Sequence, residues 1–297
     1  MLIYTIVVTR NAENWLDSCL SGLRESSVKT HVVIIDNASE DATVQKIRTR
    51  YPEVELVPLH KNRGFGAANN IGLRLALQRE ADYVLLLNQD ARLEKNTLGV
   101  MLEKRFLRHD IGILSPMQYH RAGELDHHFE LYYNGGKEKY PSPGTLQCVD
   151  FVNAAIWLIP TDVVRKVGCF SPLFYHYGED NNFSSRILFN KYKIYIATDA
   201  VAFHKRPQQH KPQTSYFKYL DTRYRIKTLI YGSDVNATVV GGMKQLKREI
   251  YSVVSSSESK TIILRNLLFF RILLFVLAKY PTLVYYRQKS KKEGAFL

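Results

Sequence analysis

Cysteine is scarce in this sequence: Cys19, Cys148 and Cys169 are the only three, with no Cys-x-x-Cys spacing among them. That argues against a disulfide framework or a cysteine-ligated zinc site and fits a reducing cytoplasm. The N-terminus lacks a basic segment and a cleavage signature before its apolar run at 3–8, so no signal peptide is expected. Internal repeats and low-complexity tracts are also missing. Acidic residues run short at one end. Residues 201–297 hold 18 Lys and Arg against 5 Asp and Glu, whereas residues 1–200 hold 23 of each. The net charge of +13 therefore sits entirely in the last third. The most apolar stretch lies there too, and a positive, greasy tail points to an anionic membrane face rather than to nucleic acid.

Apolar residues make up 45% of the 297, enough for one large α/β domain with appendages or for two smaller domains. Short β-branched or apolar runs at 4–9, 32–36, 53–58 and 83–87 alternate with helical spacing at 14–23, 39–50 and 67–79. The first helix would bury Trp15, Leu16, Cys19, Leu20 and Leu23; the third would turn Ile71, Leu75 and Ala68 inward. This series predicts an α/β fold, a doubly wound, mostly parallel sheet flanked by helices, with ligands at the carboxyl ends of its strands. A helix is expected at 94–105. From 118 to 147 the periodicity lapses and Gly, Pro, His and Tyr dominate, which predicts a functional loop or lid. A strand at 149–159, helices at 162–167 and 181–190, and a strand at 194–203 follow. Residues 261–286 are apolar but interrupted by Arg265, Asn266, Arg271 and Lys279. An in-plane interfacial helix with snorkelling cations fits this better than a span, and a helix packed on the domain stays open.

Candidate chemistry clusters at strand ends. Leu85-Leu86-Leu87-Asn88-Gln89-Asp90 is an apolar strand ending in a polar turn, and Asp90 there can hold Mg²⁺ or Mn²⁺. The alternative is a cap for the next helix. Asp36, ending the second strand, can accept the N3–H of a pyrimidine, while Thr9 and Asn11 end the first strand beside it. Residues 62–70, Asn-Arg-Gly-Phe-Gly-Ala-Ala-Asn-Asn, form a glycine loop opening a helix, suited with Arg63 to a phosphate. This loop follows the third strand and lacks the third glycine, so it does not read as a dinucleotide fingerprint. Glu179 and Asp180 follow an aromatic run and precede a helix, and one of them is a credible general base. His204 ends a further strand and, placed near Asp90, would complete a metal site.

Taken in order, Asp36, the loop from Asn62 to Gly72, the Asn88-Gln89-Asp90 turn and the stretch Val167–Arg186 resemble family 2 glycosyltransferases of the GT-A fold. The rhamnosyl- and galactofuranosyl-transferase-like branch is the nearest likeness, over roughly residues 1–225. The resemblance implies an inverting transferase that moves rhamnose or another hexose from a UDP- or dTDP-linked donor in cell-surface polysaccharide synthesis. The acceptor would be a glycan or a polyprenyl-diphosphate-linked molecule at the inner face of the cell membrane. Asp36 would read the base; Thr9, Asn11, Arg63, Asn69, Asn88 and Gln89 would bind the nucleotide. Asp90 and His204 would hold Mn²⁺ or Mg²⁺, and Asp180, beside Glu179, would be the catalytic base. Two positions depart from the pattern. Asn88 stands at the first place of the Asp-x-Asp metal motif, implying a less charged site, and Asn182 stands where a second Asp is usual. Asn88 keeps open a non-catalytic nucleotide-sugar-binding or assembly protein. The expected division is a transferase domain at 1–230, with nucleotide and acceptor halves at 1–117 and 118–230, followed by a basic amphipathic region at 231–297.

Overall fold

The computed structural model describes residues 1–134, 144–205, 216–253 and 259–297. The first half runs β1 (Ile3–Thr9), α1 (Leu16–Glu25), β2 (His31–Asp36), α2 (Thr43–Arg50), β3 (Glu55–Pro58), α3 (Phe65–Gln78) and β4 (Tyr83–Asn88). Next come β5 (Ala91–Leu93), α4 (Thr97–Leu107), β6 (Ile111–Arg121), β7 (Glu124–Leu125), α5 (His127–Asn134), β8 (Leu146–Val149) and β9 (Ile156–Pro160). The chain continues through α6 (Thr161–Val167), α7 (Glu179–Phe189), β10 (Lys193–His204), α8 (Tyr216–Ser233), α9 (Val239–Val253) and α10 (Ser259–Ser290).

The main path of the sheet has the order β3-β2-β1-β4-β9-β6-β10-β5. It is parallel from β3 through β4, as the alternating series implies, and mixed beyond. There β9 runs antiparallel to β4 and β6, and β5 antiparallel to β10. Strand side chains alternate between two cores. Tyr4, Ile6, Val33, Ile35, Val84 and Leu86 meet the cluster under α3, α6 and α7, which includes Ala68, Val163 and Phe183. Ile3, Val7, Ile34, Leu85 and Leu87 meet the cluster under α1 and α4, which includes Leu16, Cys19 and Leu98.

Several sequence expectations shift here. The inner face of α3 is Ala68, Gly72, Leu73 and Ala76, while Ile71 and Leu75 are half-buried. A Cβ at Gly72 would collide with Ile6, so close approach to β1 selects small residues over the leucine-type stripe. Trp15 likewise precedes α1 and is half-buried. The helix expected at 39–50 begins only at Thr43, because 36–41 forms a loop bonded to the end of β1. The helix expected from 94 begins at Thr97, after the unforeseen strand β5. The stretch at 118–147 is not a bare loop in its described part: it completes β6, forms β7 and α5, and enters β8. Residues 135–143 of that stretch lie outside the described residues.

The last three helices share a small core of Tyr224, Leu246, Leu268 and Ile272. α8 crosses residue 230, the expected domain boundary. The chain end then returns to the sheet domain. Ala295 and Phe296 are buried in the first core, and the Cys169 N–H donates to the Ala295 carbonyl at 2.8 Å. Gly168 (φ 89°) lies against Ala295, where any Cβ would collide with that carbonyl. Arg186 of α7, fully buried, ties this corner together. It donates to the carbonyls of Val167 at 2.6 Å and Cys169 at 2.7 Å and to Asn182 Oδ1 at 3.2 Å. Its guanidinium also lies 5.0 Å from the Phe183 ring and 5.3 Å from that of Phe296. Burial lowers its pKa to about 9. Removing it would orphan two carbonyls and an amide oxygen, so Arg186→Met should lose about 2–4 kcal/mol in denaturant unfolding. An unchanged or raised midpoint would mean that relief of the buried charge outweighs those bonds.

Candidate active site

The turn after β4 does not cap a helix. The chain re-enters the sheet at once as β5, with Ala91 opposite His204 on β10, and the Lys205 N–H donates to the Asp90 carbonyl at 2.9 Å. This register sets Asp90 Oδ1 3.3 Å from His204 Nε2. His204 is 2% exposed and the Asp90 side chain 16%. Two donors about 2.1 Å from one octahedral ion and about 90° apart are separated by about 3 Å, so this pair fits a shared Mg²⁺ or Mn²⁺. Among the described residues no group of three His, Cys, Asp or Glu side chains converges. The remaining coordination would fall to diphosphate oxygens and water, as hard divalent ions prefer.

Asp90 and His204 line a cavity of about 650 Å³ whose other walls carry Glu179, Asp180, Asn88 and, from α5, His128 and Tyr132. A second cavity of about 380 Å³ shares Phe65, Asn88, Asp90 and His176 with it and extends to Arg10, Asn37, Asn62 and Gly64. The two are lobes of one cleft at the carboxyl ends of β1 and β4. A separate cavity of about 430 Å³, beside Lys29, His31 and Glu55, sits at the amino ends of β2 and β3 and holds none of these groups.

Backbone contact joins the glycine loop to the aromatic run. Gly64 (φ 82°) abuts Tyr175, and a Cβ there would collide with the Tyr175 carbonyl. Asn37 holds the loop from the other side: its Nδ2 donates to Asn62 Oδ1 at 2.9 Å, and its Oδ1 accepts the Arg63 N–H at 2.8 Å. Tyr177 (φ 66°) and Gly178 (φ 95°) then turn the chain sharply into α7. That turn delivers Glu179 and Asp180 to the cleft on the first turn of a helix.

The two carboxylates differ. Glu179 is 4% exposed, and its Oε2 has no hydrogen-bond partner among the described residues. Burial, and then the neighbouring charge of Asp180, push its pKa up to about 7. Asp180 is half-buried and its pKa is also raised by burial. Backbone N–H groups of Asn181, at 2.8 Å, and Ala154 partly offset that shift. A carboxylate with raised basicity in reach of a cavity suits proton abstraction.

The expected nucleotide contacts divide. Asn88 and Gln89 line the smaller lobe, but the Gln89 amide is engaged with the Arg10 backbone in both directions, at 2.8 and 3.2 Å. Asp36 is 1% exposed and accepts from the Thr9 hydroxyl and from the Ser39 N–H and hydroxyl, so it braces the 36–40 loop. Thr9 is fully buried on it and faces neither lobe. Asn69, 2% exposed, turns back to the Phe65 carbonyl at 3.0 Å and also faces neither lobe. Asn11 (φ 50°) uses its Oδ1 to accept the Glu40 N–H, and the Arg63 side chain is exposed outside both lobes. Asn182 faces away too, donating to Ser233 Oγ and accepting from Arg186, a donor–acceptor pair that an amide can serve at once. Arg10 and Asn37 belong to the polar strand ends at 9–11 and 36–37, and His176 to the aromatic run before Glu179, but sequence alone assigned none of the three a role of its own. Arg10 reaches the carbonyls of Asn37 and Ala38 and pairs with Glu40 at 2.7 Å.

The sequence profile described as Glycosyl transferase family 2 matches residues 4–156, just over half of the chain. The dTDP-rhamnosyl transferase RfbF of Shigella flexneri is 32% identical over 92 residues, a match spanning 31% of this chain and 30% of that protein. Residues 1–349 of TarS from S. aureus, solved with UDP-GlcNAc, share the fold at a TM-score of 0.61 and 16% identity, over 98% of this chain and 88% of that one. The mannosyltransferase PcManGT of Pyrobaculum calidifontis, solved with GDP-Man and Mn²⁺, superposes with a TM-score of 0.59 at 17% identity, over 96% and 84%. With its motifs, its sheet and the profile in agreement, the chain belongs to glycosyl transferase family 2.

Proposed function

We propose that this chain is an inverting glycosyltransferase that passes rhamnose or another hexose from a pyrimidine nucleoside diphosphate to a glycan or polyprenyl-diphosphate-linked acceptor in cell-surface polysaccharide synthesis. The observation that carries the reading is the lining of one cavity by Asp90, His204, Glu179 and Asp180, residues distant in the chain. The match to a dTDP-rhamnosyl transferase favours a deoxythymidine or related pyrimidine donor. Residues 1–117 supply the lobe at Arg10, Asn37 and Gly64 for the nucleotide, and residues 118–230 supply α5 and α7 for the acceptor. Asp36 and Thr9 shape the base site through the 36–40 loop rather than by open contact.

A divalent ion held by Asp90 and His204 would supply positive charge to the departing diphosphate. Asp180 takes the proton from the acceptor hydroxyl as that oxygen attacks the anomeric carbon opposite the leaving diphosphate. The bond to the diphosphate oxygen breaks as the new bond forms, so one displacement inverts the anomeric centre. Phe65, Tyr132 and His176 line the cleft and restrict water beside the reacting carbon.

The basic region of residues 231–297 is read as a peripheral anchor on the inner face of the cell membrane. Residues 266–290 of α10 are long and apolar enough to cross a membrane by length and composition. Polar ties nevertheless hold α10 along the protein: Arg271 Nε donates to Asp221 at 3.1 Å, and Arg287 donates to the carbonyls of Asp234 and Ala237. Leu267, Phe270, Leu274 and Leu277, all exposed and spaced at helical intervals, would dip into the bilayer surface instead.

Asp180→Asn should lower transfer by about 10²-fold or more while nucleotide binding persists, measured by turnover and calorimetry. Near-normal turnover rules the base assignment out. The raised pKa of Glu179 fixes a sign for stability. The folded protein holds this proton more tightly than the unfolded chain, whose carboxyl titrates near 4.5. The associated stability is present below pH 4.5 and is lost as pH rises towards about 7. Glu179→Gln should therefore lose less stability than wild type between pH 5 and 8, by about 1–3 kcal/mol; equal slopes in both proteins would refute the shift. A triple variant, Phe270→Asp, Leu274→Asp and Leu277→Asp, should stay folded and lose flotation with phosphatidylglycerol vesicles at low salt. Unchanged flotation would show that the face is not the anchor.

A further inference from the structure

His204 stands between two carboxylates. Its Nε2 faces Asp90, and its Nδ1 faces Asp126 Oδ2 at 3.7 Å. Nδ1 is buried and makes no hydrogen bond among the described residues. Asp126 is 3% exposed and held by the backbone on both sides. Its N–H donates to the Gln118 carbonyl at 2.9 Å, and its Oδ1 accepts the Phe129 N–H at 2.8 Å at the start of α5. Oδ1 caps α5, and Oδ2 lies on the side of the imidazole.

A neutral imidazole carries one N–H and one lone pair, and the partner of one nitrogen decides the state of the other. An ion shared with Asp90 needs the lone pair on Nε2, so the proton must sit on Nδ1. Asp126 Oδ2 is the acceptor that would keep it there. We infer that Asp126 is a positioning residue that fixes the tautomer and ring orientation of His204 for the metal, an inference that rests on Asp90 and His204 holding the ion. The 3.7 Å separation exceeds a hydrogen bond, so a closing of about 0.7 Å accompanies metal binding. This also assigns a task to the junction of β7 and α5, where Asp126 sits and would aim the histidine from behind.

Asp126→Asn separates this role from capping. The asparagine keeps an oxygen for the Phe129 N–H but turns an NH₂ towards Nδ1, which drives the imidazole proton to Nε2. The thermal midpoint and the affinity for UDP without metal should stay at wild-type values. The affinity for Mn²⁺ with UDP present, read by electron paramagnetic resonance titration, should fall about 10- to 100-fold. Equal Mn²⁺ affinity in the variant and wild type overturns the inference and leaves the metal pair standing. Wild type that binds no Mn²⁺ beside UDP overturns the metal pair itself, and the inference with it. A second measurement uses the unaltered protein: nitrogen-15 histidine spectra with Mg²⁺ and UDP should show His204, assigned by loss of its signal in His204→Gln, protonated on Nδ1. Protonation on Nε2 is the contrary result.

Discussion

The pairing of β5 with the end of β10 is the constraint on which the rest of the cleft depends. A strand ending in a polar turn ordinarily leads into a helix, and Asp90 would then spend its carboxylate on backbone amides. Here three residues rejoin the sheet antiparallel to β10, in a register that sets His204 opposite Ala91. Sheet hydrogen bonds thereby bring a carboxylate and an imidazole 114 positions apart in the chain to 3.3 Å. Side chains placed by a ladder move little, which is the precision a metal site would need.

The opposite wall obeys a second constraint of the same kind. Gly64 and Tyr175 meet backbone to backbone, so the loop that opens α3 and the turn that opens α7 cannot shift independently. Positive φ at Tyr177 and Gly178 places the first turn of α7 towards the cleft. Burial there raises the Glu179 pKa to about 7, while the amides around Asp180 partly restrain its own upward shift. Both acids line the cavity, but Glu179 is the more deeply buried of the two. Arg186, on the same helix, extends the connection from the turn that opens α7 to the chain end at Phe296.

Much of the fold was legible because β1, β2 and β4 are largely buried on both faces and read as continuous apolar runs with helical spacing between them. Asp90 and His204 stood out as polar residues ending apolar runs, and Glu179 and Asp180 as acids between an aromatic run and a helix; all four line one cavity. What escaped the sequence was short or tertiary. β5 has three residues and carries no periodicity. β6 runs into a segment whose Gly, Pro and His content masks both the end of that strand and α5. The inner face of α3 is small rather than greasy because Gly72 must clear Ile6. Thr9 and Asn69 looked like ligand contacts by position, yet their side chains turn to Asp36 and to their own helix; spacing reveals which element carries a residue, not which rotamer it takes.

The central claim is that Asp90 and His204 hold a divalent ion against a diphosphate. Its most direct test is anomalous diffraction from crystals grown with Mn²⁺ and UDP. The account predicts a manganese peak between Asp90 Oδ1 and His204 Nε2, with diphosphate oxygens completing its shell. A nucleotide bound in the cleft with no such peak, or manganese bound elsewhere, would contradict it.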